Sequence, residues 1–443
     1  MTRNTEQKPT RVPFLAKQVG ETESRWGWVE PCVWTDRMLT ALETGVKGGK
    51  WFSLIDKVYR DQNLFMAFRK VAANGGAAGV DHVGIERFDE WLIPNLEKLS
   101  EQLRDGSYHP QAIRRQWIPK PGSKERRPLG IPTVRDRVVQ TALRNALEPI
   151  FEKDFAEQSY GFRPNRGCKG ALARVDELLK NGYTHVVDAD LKSYFDTIPH
   201  ERLMALIQNK VSDSRVLELI EMFLKQRVLE GLSVWTPERG SPQGAVISPL
   251  LSNIYLDPLD HLMAENGHEM VRYADDFVIL CRTREDAERA LKVVQQWTAQ
   301  AELTLHPDKT HIVEMAEGRF DFLGYTFTRE HRYPRKKSLQ KFKDTLRQKT
   351  KRTSGHSLST TISQLNPTLR GWFEYFQHCQ PSTYPTLDKW IRMRLRSILR
   401  KRHKGKGRGR GWDHLRWPNT FFAEQGLFSL KHAHASASQS SMR

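Results

Sequence analysis

A chain of 443 residues, 38% apolar and 10% aromatic, is long enough for two to four domains with a substantial core, and it contains no run near the roughly 18–20 apolar residues of a membrane span. Cys32, Cys168, Cys281 and Cys379 lie far apart with no C-x-x-C spacing, which argues against a zinc site or a disulfide framework and for a reducing compartment. The formal charge is +18, yet the stretch from His331 to Arg410 alone holds 22 Lys and Arg against Asp344, Glu374 and Asp388. The rest of the chain is close to neutral, so one segment carries the whole excess, as expected for a surface that binds a polyanion.

The first fifty residues read as a loosely ordered leader. Met1 to Val12 is polar with no apolar h-region, so secretion is not expected, and Gly45 to Gly49 reads as a hinge. Residues 51–110 show helical apolar spacing, interrupted by a flexible loop at Asn74 to Gly79. Gln116 to Lys120 reads as a strand, followed by a Gly-Ser turn, and Asp136 to Phe155 as a helix. Tyr183 to Asp190 is a strand ending in acids. Helices are expected at about 200–210, 214–228, 248–263 and 284–300, and a short strand ends at Phe322-Leu323-Gly324-Tyr325. From about 335 the pattern is helical and basic. Lys404 to Gly411 reads as a Gly/basic linker and 431–443 as a disordered tail. Strands and helices mix without strict alternation, which predicts an α+β fold.

Val271 to Leu280 places two adjacent acids, Asp275 and Asp276, at the bend of an otherwise apolar hairpin. Charges there are costly unless solvated, paired or bound to a cation. An Asp-rich turn and a metal site both fit that stretch taken alone. Asp190, closing another apolar strand, supplies a third carboxylate. Asp residues brought together from separate segments suit hard divalent ions, which hold polynucleotide ends for in-line phosphoryl transfer.

Asp190-x-x-x-x-Phe195-Asp196, then Pro242-Gln243-Gly244, then Tyr273-Ala274-Asp275-Asp276 resembles motifs A, B and C of a reverse transcriptase. Ile118-Pro119-Lys120-Pro121, Pro128 to Pro132, Ser159 to Pro164 and Phe322 to Tyr325 resemble the group II intron-encoded reverse transcriptase/maturases of bacteria, over about Trp51 to Leu430. The resemblance implies a right-hand polymerase with fingers, an RRM-like antiparallel palm and an α-helical thumb, the maturase domain X. It divides the chain into a leader (1–50), fingers with an N-terminal extension (51–180), palm (181–334), thumb (335–411) and a short C-terminal DNA-binding-like segment with a tail (412–443).

The same resemblance implies two Mg²⁺ ions, with Mn²⁺ as a substitute, held by Asp190, Asp275, Asp276 and the backbone carbonyl of Leu191. Asp188 is read as structural and Asp196 as a cap or turn residue. Nucleotide contacts fall to Lys120, Arg127 (or Arg126, one register away), Phe195 as the sugar-sensing ring, Gln243 and Lys309. The family's usual second Gly after Pro-Gln-Gly is Ala245 here. Arg163, Arg370, Arg392, Arg394, Arg396, Arg400 and Lys401 are implied to touch nucleic acid, while Trp372, Phe373, Tyr375 and Phe376 pack helices.

The implied activity is RNA-directed DNA synthesis on intron RNA, with RNA binding that assists splicing and retrohoming. The partners are intron RNA, RNA template with DNA primer, target DNA and dNTPs, in the cytoplasm or on the nucleoid. A host-adopted reverse transcriptase in defence or CRISPR spacer acquisition, and a maturase with a vestigial polymerase, stay open as alternatives. After Leu430 come only His432 and His434 and no Cys, so an HNH nuclease is not expected.

Overall fold

The structure, a computed structural model, describes residues 25–46, 48–119 and 126–440. The central sheet has the order β6-β7-β3-β8, from β3 (His185–Asp190), β6 (Glu269–Tyr273), β7 (Asp276–Cys281) and β8 (His311–Glu314). Its pairings are antiparallel, with Asp190 opposite Asp276 and Asp188 opposite Val278. Side chains alternate across a sheet. Val187, Ala189, Phe277 and Ile279 therefore face one core, with Ala287, Ala290 and Val294 of the helix Arg284–Gln300. Val186, Val278 and Leu280 face a second core, and Asp188, Asp190 and Asp276 share their side. The acids thus end the apolar face that turns toward the basic region.

A second sheet, β2-β1-β4-β5, comprises β1 (Ile113–Pro119), β2 (Arg126–Ile131), β4 (Val228–Glu230) and β5 (Ser233–Trp235). The helix Val134–Glu152, which follows β2 in the chain, is buried along nearly its whole length. Thr133 caps it by accepting from the Asp136 amide (3.2 Å), and the Tyr108 hydroxyl donates to Asp136 (2.7 Å). The third sheet is β11-β10-β9, from β9 (Phe320–Phe322), β10 (Tyr325–Phe327) and β11 (Arg332–Pro334). Helices Lys336–Lys349, Leu358–Phe376 and Thr383–Arg402 complete the basic region. Phe342 stacks on Trp372 at 4.5 Å and Tyr325 meets Phe376 at 4.9 Å, so these aromatics do pack helix on helix and helix on sheet. No helix of the described residues is long and apolar enough to cross a membrane.

Several expected elements change on contact with the rest of the molecule. The helix expected over 214–228 stops at Leu224, because Val228 and Leu229 pair in parallel with Ile113 and Arg114, a distant strand that no local pattern reveals. Asn74 to Gly79 is pinned: Arg137 donates to the Gly75 and Ala77 carbonyls (3.1 and 2.8 Å) and Arg114 to that of Ala78 (2.7 Å). Part of the expected leader is packed, with Trp26, Val33, Trp34, Leu39 and Leu42 buried and Trp34 donating to the Asn145 carbonyl (3.0 Å); residues 1–24 lie outside the described set. The expected tail holds the helix Leu430–Ser440, whose first amides, on Leu430 and Lys431, donate to Asp388 (3.1 and 3.2 Å). A buried carboxylate at a helix start satisfies amides that the helix itself cannot.

Candidate active site

Tyr273 and Asp276 close the β6–β7 hairpin, leaving Ala274 and Asp275 as its two-residue turn. Ala274 is 5% exposed and has φ of +59°, a conformation that L-residues with a Cβ seldom adopt. What holds it there lies beneath. Arg272, fully buried, donates to the Ala274 carbonyl (2.9 Å), to Asn253 (3.0 Å) and to both oxygens of the fully buried Asp260 (2.7 and 2.5 Å). Asn253 in turn donates to the Gly161 carbonyl (2.8 Å). Gly161 has to lack a side chain, since a Cβ there would sit 2.3 Å from the Ala274 nitrogen. The segment around it runs beside β6, exchanging Tyr160 N–H to Arg272 C=O and Arg272 N–H to Gln158 C=O. The turn is therefore gripped from two sides.

On the far side of that turn the acids crowd. Burial, then the charges of Asp188, Asp275 and Asp190, push the Asp276 carboxyl up to about 7, against Arg335. Burial also lifts Asp188 to about 6, with Asp321 and Asp190 adding to the rise. Asp275 is raised by burial and by Asp190, while Arg272 and Arg127 pull it back. Asp188, read from sequence as structural, thus belongs to the same electrostatic cluster; its two-residue offset from Asp190 on one strand was the available signal. Asp196 does not cap the helix His200–Gln208, which has no side-chain cap; it sits in the turn Tyr194–Thr197, where its amide donates to the Ser193 carbonyl (2.9 Å), and it lines a cleft.

Crowded carboxylates of this kind favour a dication. Among the described residues no three His, Cys, Asp or Glu close into a cage that would hold a metal unaided. Mg²⁺ takes one or two carboxylates and completes its octahedron with substrate phosphates and water. The donor set suits the implied metal, with substrate supplying the rest.

Lys309 reaches into this cluster, its Nζ 2.5 Å from Asp190 Oδ2, and the His306 amide fixes the Asp190 carbonyl (2.8 Å). Leu191 is 3% exposed and bridges to Leu305. Phe195, half-buried, packs edge-on against Tyr194 (5.4 Å), and its carbonyl accepts from the Ser241 amide (2.7 Å). That bond ties its turn to the loop carrying Gln243. Phe195 and Gln243 line a cleft of about 600 Å³ with Arg115, Trp117 and Trp235. Gly244 has φ of +106°, and a Cβ there would lie 2.4 Å from the Gly130 carbonyl oxygen. Ala245 is buried beside it. Arg127 and Leu129 share the face of β2 that meets Gly244, and the Arg127 charge is felt at Asp275; Arg126 points to the opposite face. Lys120 lies outside the described residues.

The arginines expected on nucleic acid divide. Arg163 is buried and fully engaged: it pairs with Glu152 (2.8 Å) and donates to the carbonyls of Ala156 and Ser159 (2.5 and 2.9 Å), so it ties a turn instead of facing a ligand. Arg396 is likewise 3% exposed, donating to the Trp417 carbonyl (2.9 Å) and Asn419 (2.8 Å). Arg394 donates to the Thr350 hydroxyl (2.6 Å) and carbonyl (3.0 Å), closing the end of the helix Lys336–Lys349. Arg400 pairs with Asp413 (2.6 Å). Arg392 is half-buried, while Arg370 and Lys401 stand exposed. The helix Thr383–Arg402 carries cations of both kinds, which is why charge counting merged them.

Comparison with known proteins bears on this geometry. Residues 118–327 match the family described as reverse transcriptase (RNA-dependent DNA polymerase), and 339–417 match the group II intron, maturase-specific domain. Protein YkfC of Escherichia coli K12 is 34% identical over 318 residues, covering 62% of this chain and 83% of that protein. Group II intron-encoded protein LtrA of Lactococcus lactis subsp. cremoris is 39% identical over 208 residues, 46% of this chain; the match spans 34% of LtrA's own length. A partial Cas6-RT-Cas1--Cas2 complex overlays at a TM-score of 0.35 with 22% identity, over 56% of this chain and 42% of that one, too loosely to bear on function. A carboxylate hairpin of this class followed by a maturase-specific domain places the chain in a single family. It belongs to the group II intron-encoded reverse transcriptases and maturases.

Proposed function

We propose that the chain is an RNA-directed DNA polymerase of a group II intron, copying intron RNA into cDNA and binding the same RNA to assist splicing and retrohoming. The observation that carries this reading is the pairing of Asp190 with Asp276 beside Asp275, within reach of Lys309 and Arg127. Residues 51–180 would act as fingers, 181–334 as palm, 335–411 as thumb and 412–443 as a short C-terminal segment on target DNA. The maturase-specific match favours the intron reading over a host-adopted enzyme. The intact acids count against a vestigial polymerase, because clustered buried carboxylates are costly to keep without a cation.

Two Mg²⁺ ions held by Asp190, Asp275, Asp276 and the Leu191 carbonyl would activate the primer 3′-hydroxyl and neutralise charge on the triphosphate. The chain's own residues do the rest. Lys309 balances Asp190 before substrate arrives and is released toward the phosphates when it does. Arg127 projects over the same space, where a fixed cation stabilises charge as pyrophosphate leaves. Phe195 occupies the floor beneath the sugar, leaving no room for a 2′-hydroxyl. Gln243 braces the incoming nucleotide from the loop anchored to Gly130.

Incorporation of dNTPs on poly(rA)/oligo(dT) with Mg²⁺ tests the assignment: Asp275→Ala is expected to lose it, and retained synthesis would refute the metal site. Phe195→Val is expected to admit ribonucleotides; unchanged discrimination would sink the sugar gate.

A further inference from the structure

Lys404 to Gly411 alternates basic residues with glycine, and the structure gives that alternation a direction. Gly405 and Gly409 lie against the helix Thr383–Arg402, where a Cβ would sit 2.6 Å from Arg400 Cγ and 2.9 Å from Arg396 Cβ. The intervening backbone is tied down. Lys406 C=O accepts from Arg400 (2.8 Å), Gly407 C=O from Arg352 (3.2 Å), and the Arg410 amide donates to Asp413 (2.8 Å), which also holds Arg400 (2.6 Å). With Gly405 and Gly409 turned inward, Lys404, Lys406, Arg408 and Arg410 all stand exposed. Among the described residues none of their side chains has an ion-pair partner. The ribbon ends at Trp412, 84% exposed, with Leu415 beside it at 71%.

Four like charges held close together repel one another, and an exposed indole leaves apolar surface in water, so both gain from an anionic, flat-faced partner. Cations repeating along one exposed segment suit a chain of phosphates, and a flat exposed ring suits the face of an unpaired base. We propose that residues 404–412 form a single-strand clamp: Lys404, Lys406, Arg408 and Arg410 follow the phosphates of an unpaired nucleic-acid strand, and Trp412 stacks on one of its bases. The proposal rests on the nucleic-acid reading above and adds a site and a strand state to it. Arg396 and Arg400, beneath the ribbon, act here as positioning residues.

The test uses the full chain and labelled oligonucleotides: an RNA with an unpaired loop, a blunt RNA duplex, and their DNA counterparts. Trp412→Ala is expected to weaken binding of the looped probes about 5- to 150-fold, the range of one base–aromatic stack, and to leave the blunt duplexes little changed. Trp412→Phe is expected to restore most of it. Replacing the four cations by Gln is expected to flatten the salt dependence of single-strand binding by roughly 3 in log–log slope. RNA and DNA loops losing affinity alike, or RNA alone, both support the clamp and distinguish a sugar-blind from a sugar-reading site. Wild-type affinity in both variants, or equal losses on looped and blunt probes, overturns it. Melting temperature and dNTP incorporation on poly(rA)/oligo(dT) serve as controls: if wild type neither binds nor polymerises, the polymerase reading fails, whereas if it does both and the variants bind unchanged, only the clamp fails.

Discussion

The carboxylate hairpin and the basic helices are both charged, yet they spend their charge differently. At the hairpin, acids that repel one another are forced together by a rigid support, Arg272 with Asp260 and Gly161 under Ala274. In the basic region many cations are consumed internally: Arg394 closes a helix, Arg396 ties two segments and Arg400 braces a ribbon. Few, close and over-determined charges make chemistry, while numerous charges become binding surface only where the fold leaves them unpaired. Composition reports the number of charges and is silent about their direction.

The contrast can be broken at several depths. The deepest cut is Asp275→Ala, expected to abolish synthesis with RNA binding intact in a filter or anisotropy assay. Next is Arg272→Met, which strands the buried Asp260; breaking one partner of a buried ion pair costs about 3–5 kcal/mol, to be read in denaturant unfolding. Gly161→Ala pushes a methyl into the turn backbone while leaving Arg272 paired. A displacement near 1 Å at the reacting groups costs about 10²-fold in rate, so kcat is expected to fall that far with KM for the template little changed. Arg396→Ala and Lys401→Ala then separate the two kinds of basic residue. The first removes two hydrogen bonds from a buried cation and is expected to cost about 2–3 kcal/mol of stability. The second is expected to stay within about 0.5 kcal/mol in stability and to show its effect only as a modest loss of RNA affinity.

Much of the catalytic half was legible because its signals are local. The hairpin, the strand ending at Asp190 and the helix Arg284–Gln300 all follow from apolar periodicity and turn chemistry within one window. The strand at Val228 was not, since one partner, β1, lies more than a hundred residues away and the other, β5, is only three residues long. The helix from Leu430 was hidden for a related reason: its sequence is weakly apolar, and its start is fixed by Asp388 from another helix. The coupling of Asp188 to Asp276 and Asp321 was not legible, because those acids come from other strands. Asp190, Asp275 and Asp276 were readable as motif positions, whereas the pairing of Arg272 with Asp260 required knowing which side of the sheet each one meets.

The meeting of Gly130 with Gln243 and Gly244 has a mechanical consequence. Gly130 donates to the Gln243 carbonyl at 2.6 Å, and its own carbonyl fills the space where a Gly244 side chain would stand. The strand bearing Arg127 and the loop bearing Gln243 are thereby latched at one backbone point. Neither can swing by more than a few tenths of an ångström without stretching that hydrogen bond or driving the two glycines into collision. Whatever tilts the strand carries the loop with it, so Arg127 and Gln243 move together as a single jaw.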